Sequence, residues 1–162
     1  MQPAAVDIRV SRPDDAAVLP LLAQLDAYLY RQYPVAEFPQ DVNHILSPAQ
    51  LLNPAVTFLA AWQGEEAVGC AAVRDMRDQS GVYGEIKRMF VAPQARGQRV
   101  GEQLLAALEA HLVTAGIQLA RLETGTRQPE SLRLYQRCGY RPCGRFGDYL
   151  PNPVSVYLEK AL

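Results

Sequence analysis

Two long stretches of the chain repeat their apolar residues every three or four positions, the spacing of a helix buried on one face. The first follows residues 11–15, whose hydroxyl and carboxylate groups favour a helix start, and it ends at Pro34. The second runs from residue 101 to Gly116, a typical C-cap glycine. The apolar positions are Val18, Leu21, Leu22, Leu25 and Leu29 in the first helix and Leu104, Leu105, Leu108 and Leu112 in the second.

Shorter alternating or continuously apolar stretches predict β-strands at 6–10, 56–62, 67–74, 83–91, 118–123, 140–143 and 154–159. The turn at 63–66 joins two of these strands as a hairpin, and the polar stretch 75–81 is predicted to be a loop. Because the chain returns to 118–123 through a helix, this strand should lie parallel to 83–91. A third helix, from Gln128 to Gly139, completes a single α/β domain over residues 1–162.

The segment 34–55 contains four prolines and interrupts this regular pattern. Short helices are predicted near 41–46 and 48–52, and we interpret the segment as a cover over a ligand. Three tyrosines precede it, at positions 28, 30 and 33. They either line a pocket or form a half-buried aromatic edge, and the sequence leaves both interpretations open.

The composition indicates a globular protein, with 49% hydrophobic and 20% charged residues. A formal net charge of -1 argues against a general nucleic-acid binder, and no apolar run could span a bilayer. The three cysteines are odd in number and lack metal-site spacing, so we expect a reduced, cytoplasmic protein without a secretory leader. His44 and His111 stand alone, and no metal site is expected.

The loop between strand 83–91 and the second helix is basic and glycine-containing, with the sequence Gln-Ala-Arg-Gly-Gln-Arg-Val-Gly at 94–101. A strand-to-helix loop presents unpaired backbone N–H groups at the positive end of the helix dipole, which favours a phosphate-like anion. Arg96 and Arg99 add full charges. The glycine spacing fits neither a P-loop nor a dinucleotide fingerprint. An ordinary turn with solvated arginines remains the alternative.

The order of the elements and two sequence motifs resemble those of the GNAT superfamily of acyl-CoA N-acyltransferases. Residues 96–101 are similar to the pyrophosphate motif R/Q-x-x-G-x-G/A, with Arg99 in place of the first motif glycine. We expect Arg99 to lie in the first helical turn, where its backbone N–H still faces the ligand. Residues 131–140 look like the family segment A-x-x-L-Y-x-x-x-G-F, and Gln128 stands where relatives often have Asn. The segments at 122–126 and 146–149 are similar to those of a bacterial branch of small GNAT proteins, most of which are uncharacterised.

The resemblance implies a mixed, mostly antiparallel sheet with flanking helices, in which strands 83–91 and 118–123 splay apart around the pantetheine arm of acetyl-CoA. Backbone groups of Met89 and Val91 would pair with the pantetheine amides. An N–H near Met89 or Phe90 would polarise the acetyl carbonyl. The implied cofactor-binding residues are Met89, Phe90, Val91, Arg96, Gly97, Gln98, Arg99, Val100, Gly101, Glu102 and Gln128.

The implied reaction is direct attack of a primary amine of a small molecule on the thioester, with acetyl-CoA as cosubstrate and no metal. Because an alkylamine is mostly protonated at pH 7, a base must remove a proton, and Glu85 is the candidate; its alternative interpretation is an exposed strand-edge carboxylate. Tyr135 matches the general acid of the family.

Transfer to a protein or peptide, and a non-catalytic acyl-CoA sensor, are alternative functions. A homodimer, frequent in the family, stays open. Weaker candidates for acceptor contacts are Tyr83, Arg88, Thr126 and Tyr149.

Overall fold

The computed structural model describes residues 2, 4–38 and 44–162. Within these residues the strands are β1 (Asp7–Val10), β2 (Val56–Gln63), β3 (Glu66–Asp78), β4 (Gly81–Val91), β5 (Leu119–Gly125), β6 (Arg141–Pro142) and β7 (Ser155–Ala161). The α-helices are α1 (Leu19–Gln32), α2 (Pro48–Leu51), α3 (Val100–Thr114) and α4 (Pro129–Arg137). None of the helices described is long and apolar enough to cross a membrane.

The strands form one sheet in the order β1-β2-β3-β4-β5-β7-β6, in which β4 and β5 are parallel and the other neighbours are antiparallel. This confirms the predicted mixed, mostly antiparallel sheet. Each face of the sheet has its own apolar core. On one face α3 buries Leu104, Leu105, Leu108 and Leu112. On the other face α1 buries Leu21, Leu22 and Leu25 against Phe58 and Phe90.

The parallel strands β4 and β5 pair over only two positions, Gly84 with Ala120 and Glu85 with Arg121. Beyond these pairs the two strands separate. The register between β3 and β4 shifts between Cys70 and Ala72, opposite Arg88, which has a positive φ of 59°. This irregularity bends β4 away from a regular ladder just where the gap to β5 opens. The splayed geometry therefore creates a cleft in the middle of the sheet.

The predicted loop at 75–81 is wrong, because β3 and β4 continue as a long hairpin through most of it. Cross-strand pairs extend to Asp78 with Gly81, so only Gln79 and Ser80 form the turn. The Asp78 carboxylate accepts hydrogen bonds from the N–H and hydroxyl of Ser80. The polar sequence suggested a loop, but here it alternates between more and less exposed positions along a ladder that pairing maintains.

The first helix begins later than the residues at 11–15 predict. Asp15 accepts a hydrogen bond from the N–H of Ala17 at 2.8 Å and so stabilises a turn, and regular α1 starts at Leu19. The predicted helix near 48–52 is present as α2, with Ser47 and Gln50 forming a capping box. Of the other predicted short helix, residues 41–43 lie outside the described residues.

Candidate functional site

Two adjoining cavities lie where β4 and β5 separate. The tyrosine cavity, lined by Tyr30, Tyr33, Tyr135 and Tyr149 among others, has a volume of about 140 Å³. The loop cavity, lined by residues 95–97 and 99–102 among others, has about 410 Å³. They share Leu25, Met89, Gln128 and Ser131. A ligand that occupies both cavities would therefore pass between β4 and the start of α4.

The loop cavity combines free backbone donors with basic side chains. Among the described residues, no backbone N–H from residue 97 to 102 donates to a backbone carbonyl. These groups surround the N-terminus of α3, and Arg96, Arg99 and Arg137 line the same cavity. The positive charge of Arg137 is partly compensated by the carboxylate of Glu102, 3.3 Å away. The arrangement favours an anion with several oxygens.

Ten of the eleven residues predicted to bind the cofactor line the loop cavity; Gln98 is the exception. The Gln98 side chain instead accepts a hydrogen bond from Gln63 at 2.7 Å and donates one to the carbonyl of Gln94. Its orientation fixes the loop against β2. Its expected contribution to ligand binding is therefore limited to its backbone N–H.

Arg99 does not lie in the first helical turn, as the motif comparison suggested. It is the residue before α3, and its backbone is left-handed, with φ 59° and ψ 28°. A side chain in this conformation clashes with the following carbonyl, at a cost of about 1–2 kcal/mol. Glycine avoids this cost, which explains why a glycine suits this position of the motif.

Replacing Arg99 with glycine is expected to raise the free energy of unfolding by about 0.5–1 kcal/mol, because relief of the strained φ outweighs the added chain entropy. Urea denaturation of the purified protein measures the change. Arg133→Gly is the matched control, since Arg133 lies inside α4 and is exposed, and glycine there should destabilise the protein by about 1 kcal/mol. Equal destabilisation by both variants would contradict the assignment of strain to Arg99.

The edge of β4 that faces β5 has no ladder partner on β5 beyond Glu85. Arg88, at the bend, places its guanidinium 2.6 Å from Asp26 and donates to the carbonyl of Leu22, so it ties β4 to α1. At the outer end, Arg96 donates to the carbonyl of Val91 at 3.2 Å. Between these two anchors, Met89 contributes to the wall shared by both cavities. An extended ligand with amide groups has an open strand edge to pair with here.

Tyr135 of α4 lines the tyrosine cavity although only 5% of its surface is exposed. Its ring packs edge-on against Tyr140 with centroids 5.7 Å apart. Among the described residues its hydroxyl has no hydrogen-bond partner. Burial raises the pKa of the phenol well above its usual range. Tyr135 is therefore a phenol that stays protonated and lines a cavity.

Glu85 is 1% exposed, so the alternative of an exposed strand-edge carboxylate is wrong. Its oxygens accept from Arg74 at 3.0 Å, from the Tyr149 hydroxyl at 2.6 Å, and lie 3.2 Å from Lys87. Lys87 and Tyr149 line the tyrosine cavity, whereas Glu85 does not. Glu85 therefore stands behind the cavity wall and holds two of its residues in place.

Glu123 is a carboxylate of this cavity that the motif comparison did not select. On β5 the side chains alternate: Ala120 and Leu122 are buried in the α3 core, while Glu123 lines the tyrosine cavity. Its charge adds to the effect of burial in raising the pKa of Tyr33, to about 12, and of Tyr149. The period-two alternation of residues 119–124 is the sequence signal that could have located it.

One side of the tyrosine cavity is closed by a latch centred on Arg127. Its guanidinium donates to the carbonyl of Gln32 at 2.8 Å, pairs with Glu37 at 3.0 Å and lies over the ring of Phe38. Its backbone N–H donates to the Tyr33 hydroxyl. The end of α1 and the residues after it are thereby fixed to the β5–α4 loop, so the described part of segment 34–55 does cover a cavity.

The weaker acceptor candidates divide into two groups. Arg88 and Tyr149 line the tyrosine cavity. Tyr83 is buried under Phe146 with its ring edge-on, and neither it nor Thr126 lines either cavity. The three cysteines are free thiols, and no group of metal-ligating side chains occurs in the part of the chain that the structure describes.

Residues 22–140 match the profile of the acetyltransferase (GNAT) family. The chain is 40% identical over 157 residues to an IAA acetyltransferase of Azospirillum brasilense, covering 97% of this chain and 98% of that protein. It also resembles a crystal structure from Klebsiella pneumoniae whose name assigns it to the acyl-CoA N-acyltransferases, with 38% identity, a TM-score of 0.78 and 97% of each chain covered. A third similarity, at 17% identity, is to a PaiA N-acetyltransferase of Thermoplasma acidophilum in complex with coenzyme A; the TM-score is 0.75 and the coverage is 98% and 99%.

Proposed function

Because the chain belongs to the acetyltransferase (GNAT) family, we propose that it transfers an acetyl group from acetyl-CoA to a primary amine of a small molecule by direct attack. The observation that carries this proposal is the pair of adjoining cavities. The loop cavity has the chemistry of an anion site, and the tyrosine cavity contains a buried phenol with a high pKa. The reacting thioester would lie near their shared wall.

The donor would bind with its pyrophosphate on the N–H groups of residues 97–102, supported by Arg96 and Arg99. The pantetheine would follow the open edge of β4, where its amides pair with the backbone near Met89. Gln128, on the shared wall, offers a side-chain amide to the same arm. A backbone N–H near Phe90 would stabilise the oxyanion that forms when the amine attacks.

Tyr135 is the proposed general acid. The departing thiolate of CoA gains negative charge as the carbon–sulfur bond breaks, and a phenol within reach can donate its proton to it. Burial raises the pKa of Tyr135, so the phenol remains protonated at every pH up to the ordinary tyrosine pKa near 10 and for some distance beyond it. Its hydroxyl has no competing partner among the described residues, which supports donation to a ligand.

The shape of the tyrosine cavity supports a small acceptor over a protein. Its volume of about 140 Å³ suits a small molecule, and the Arg127 latch closes one side. A peptide acceptor would need an open groove for the chain on both sides of its amine. A non-catalytic sensor would have no use for a buried acid in the tyrosine cavity.

Calorimetry tests the donor assignment. We expect acetyl-CoA to bind at least tenfold more tightly than ADP, because ADP presents the pyrophosphate to the loop cavity but lacks the pantetheine amides that the β4 edge would pair with. Desalted protein is titrated with each ligand at the same ionic strength, since phosphate contacts weaken with salt. Equal affinities would favour a nucleotide-binding regulator and contradict the proposal.

A further inference from the structure

Among the described residues, Glu123 is the one acidic side chain that lines the tyrosine cavity. It projects from β5 opposite Tyr157 of β7, beyond the last pair that joins β5 to β4. Its carboxylate therefore stands at the splay itself, on the same cavity wall as Thr124 and Gly125. Glu85, the base candidate from sequence, has its oxygens occupied by Arg74, Lys87 and Tyr149 and lies outside the lining.

Aromatic rings line the same cavity as this carboxylate. Burial raises the pKa of Tyr33, Tyr135 and Tyr149, and the charge of Glu123 adds to each shift, which places all three phenols within electrostatic range of it. A carboxylate among aromatic faces is a typical receptor for an alkylammonium ion, which gains both a charge pair and cation–π contacts. The titratable and charged groups that face Glu123 across this cavity and its strand pair are Tyr30, Tyr33, His44, Lys87, Arg88, Tyr135, Tyr149 and Tyr157.

The remaining walls restrict what else the acceptor can carry. Leu29, Val35, Ile86 and Val154 line the cavity, so an apolar body can be buried there. Lys87 also lines it, with a side chain only 8% exposed. Because Lys87 and Arg74 share the single carboxylate of Glu85, a second positive charge on the acceptor would meet an incompletely compensated positive wall, which is unfavourable.

We propose that Glu123 binds the ammonium group of the acceptor and removes its proton, and that the acceptor is a primary monoamine with an apolar body. This inference rests on the proposed function. The ammonium gives one proton to the carboxylate, and the neutral amine attacks the thioester carbonyl to form the carbon–nitrogen bond. The carbon–sulfur bond then breaks, Tyr135 protonates the thiolate, and the second nitrogen proton restores Tyr135. Glu123 releases its proton to solvent, so one proton leaves per turnover.

The test compares wild type with Glu123→Gln, using CoA release from acetyl-CoA with 2-phenylethylamine, 3-methylbutylamine or spermidine. For wild type we expect kcat/KM to be at least tenfold higher with either monoamine than with spermidine. Glu123→Gln should lower kcat/KM for the monoamines by about 10²-fold or more near pH 7. The loss should shrink as the pH rises towards the amine pKa near 10.4, because the free amine then needs no base. Glu65→Gln, an exposed turn residue, is the matched control.

Each outcome decides a separate point. Unchanged acetyl-CoA affinity by calorimetry shows that the Glu123→Gln variant is folded. A variant as active as wild type, or a loss that stays constant with pH, would overturn the role of Glu123. Preference for spermidine, or acetyl-CoA binding without turnover of any of the three amines, would overturn the acceptor class. Failure of wild type to bind acetyl-CoA would instead overturn the proposed function itself.

Discussion

Tyr135→Phe is expected to lower kcat for acetyl transfer by about 10²-fold or more while the affinity for acetyl-CoA changes little. The substitution removes one oxygen that has no hydrogen-bond partner among the described residues, so the fold loses no internal hydrogen bond. It does remove the proposed proton donor for the thiolate, and general acid catalysis typically contributes 10²- to 10⁴-fold. Steady-state kinetics and acetyl-CoA calorimetry of the same preparation separate these two effects.

Tyr140→Phe is the matched control for Tyr135→Phe. Tyr140 packs against Tyr135 and belongs to the same core, but its hydroxyl donates to Glu109 on α3. Its removal should reduce stability by about 1 kcal/mol and leave kcat unchanged. The same loss of kcat in both variants would mean that packing of this core, and not a proton from Tyr135, limits the reaction.

The pH dependence follows from the direction of the Tyr135 shift. Because burial raises its pKa, the phenol carries its proton at every pH below its ordinary value near 10 and for some distance above it. Ionisation of Tyr135 should therefore cause no fall in activity up to about pH 10. A fall in activity below that pH would then come from a group other than Tyr135.

Glu85→Gln is expected to lower the free energy of unfolding by about 3–5 kcal/mol. The Glu85 side chain is 2% exposed and compensates Lys87, 8% exposed, and Arg74, 28% exposed. Without the carboxylate, two cations remain close together in a poorly solvated wall, and loss of one partner from a buried ion pair costs this much. Urea denaturation measures the loss, with Glu65→Gln as an exposed control that should be neutral.

A second substitution distinguishes this structural role from the base role that the sequence suggested. Glu85→Gln combined with Lys87→Met removes one of the two stranded cations, so at least half of the lost stability should return. One result would instead make Glu85 the base. In that case the Glu85→Gln variant would keep wild-type stability and acetyl-CoA affinity, lose acetyl transfer at pH 7 and recover it at high pH.

The main elements of the fold follow from the sequence because each has a local cause. Leu104, Leu105, Leu108 and Leu112 repeat at helical spacing, and α3 buries all four. A helical connection between two strands demands the parallel β4–β5 pair, and the structure confirms it. The basic loop at 96–101 is likewise visible in the sequence, because glycines and arginines before a helix are a local pattern. Its role as a cofactor site stays a prediction.

The features that the sequence misses depend on tertiary contacts. The β3–β4 hairpin extends to Asp78 because the strands pair across it, although the residues themselves resemble a loop. The left-handed backbone of Arg99 arises where the loop must turn into α3. For the same reason, Glu85 is buried behind the cavity wall, whereas Glu123, which the motifs did not select, lines the cavity. Which carboxylate faces the cavity depends on where the ladder between β4 and β5 ends, and no single strand encodes that point.

The decisive measurement of acetyl transfer is the release of CoA from acetyl-CoA, followed with a thiol reagent in the presence of 2-phenylethylamine. We predict thiol release that depends on both substrates, saturates with each of them and yields the N-acetylated amine by mass spectrometry. Tight acetyl-CoA binding without CoA release in the presence of this or any other small amine would contradict acetyl transfer and favour a sensor of acyl-CoA.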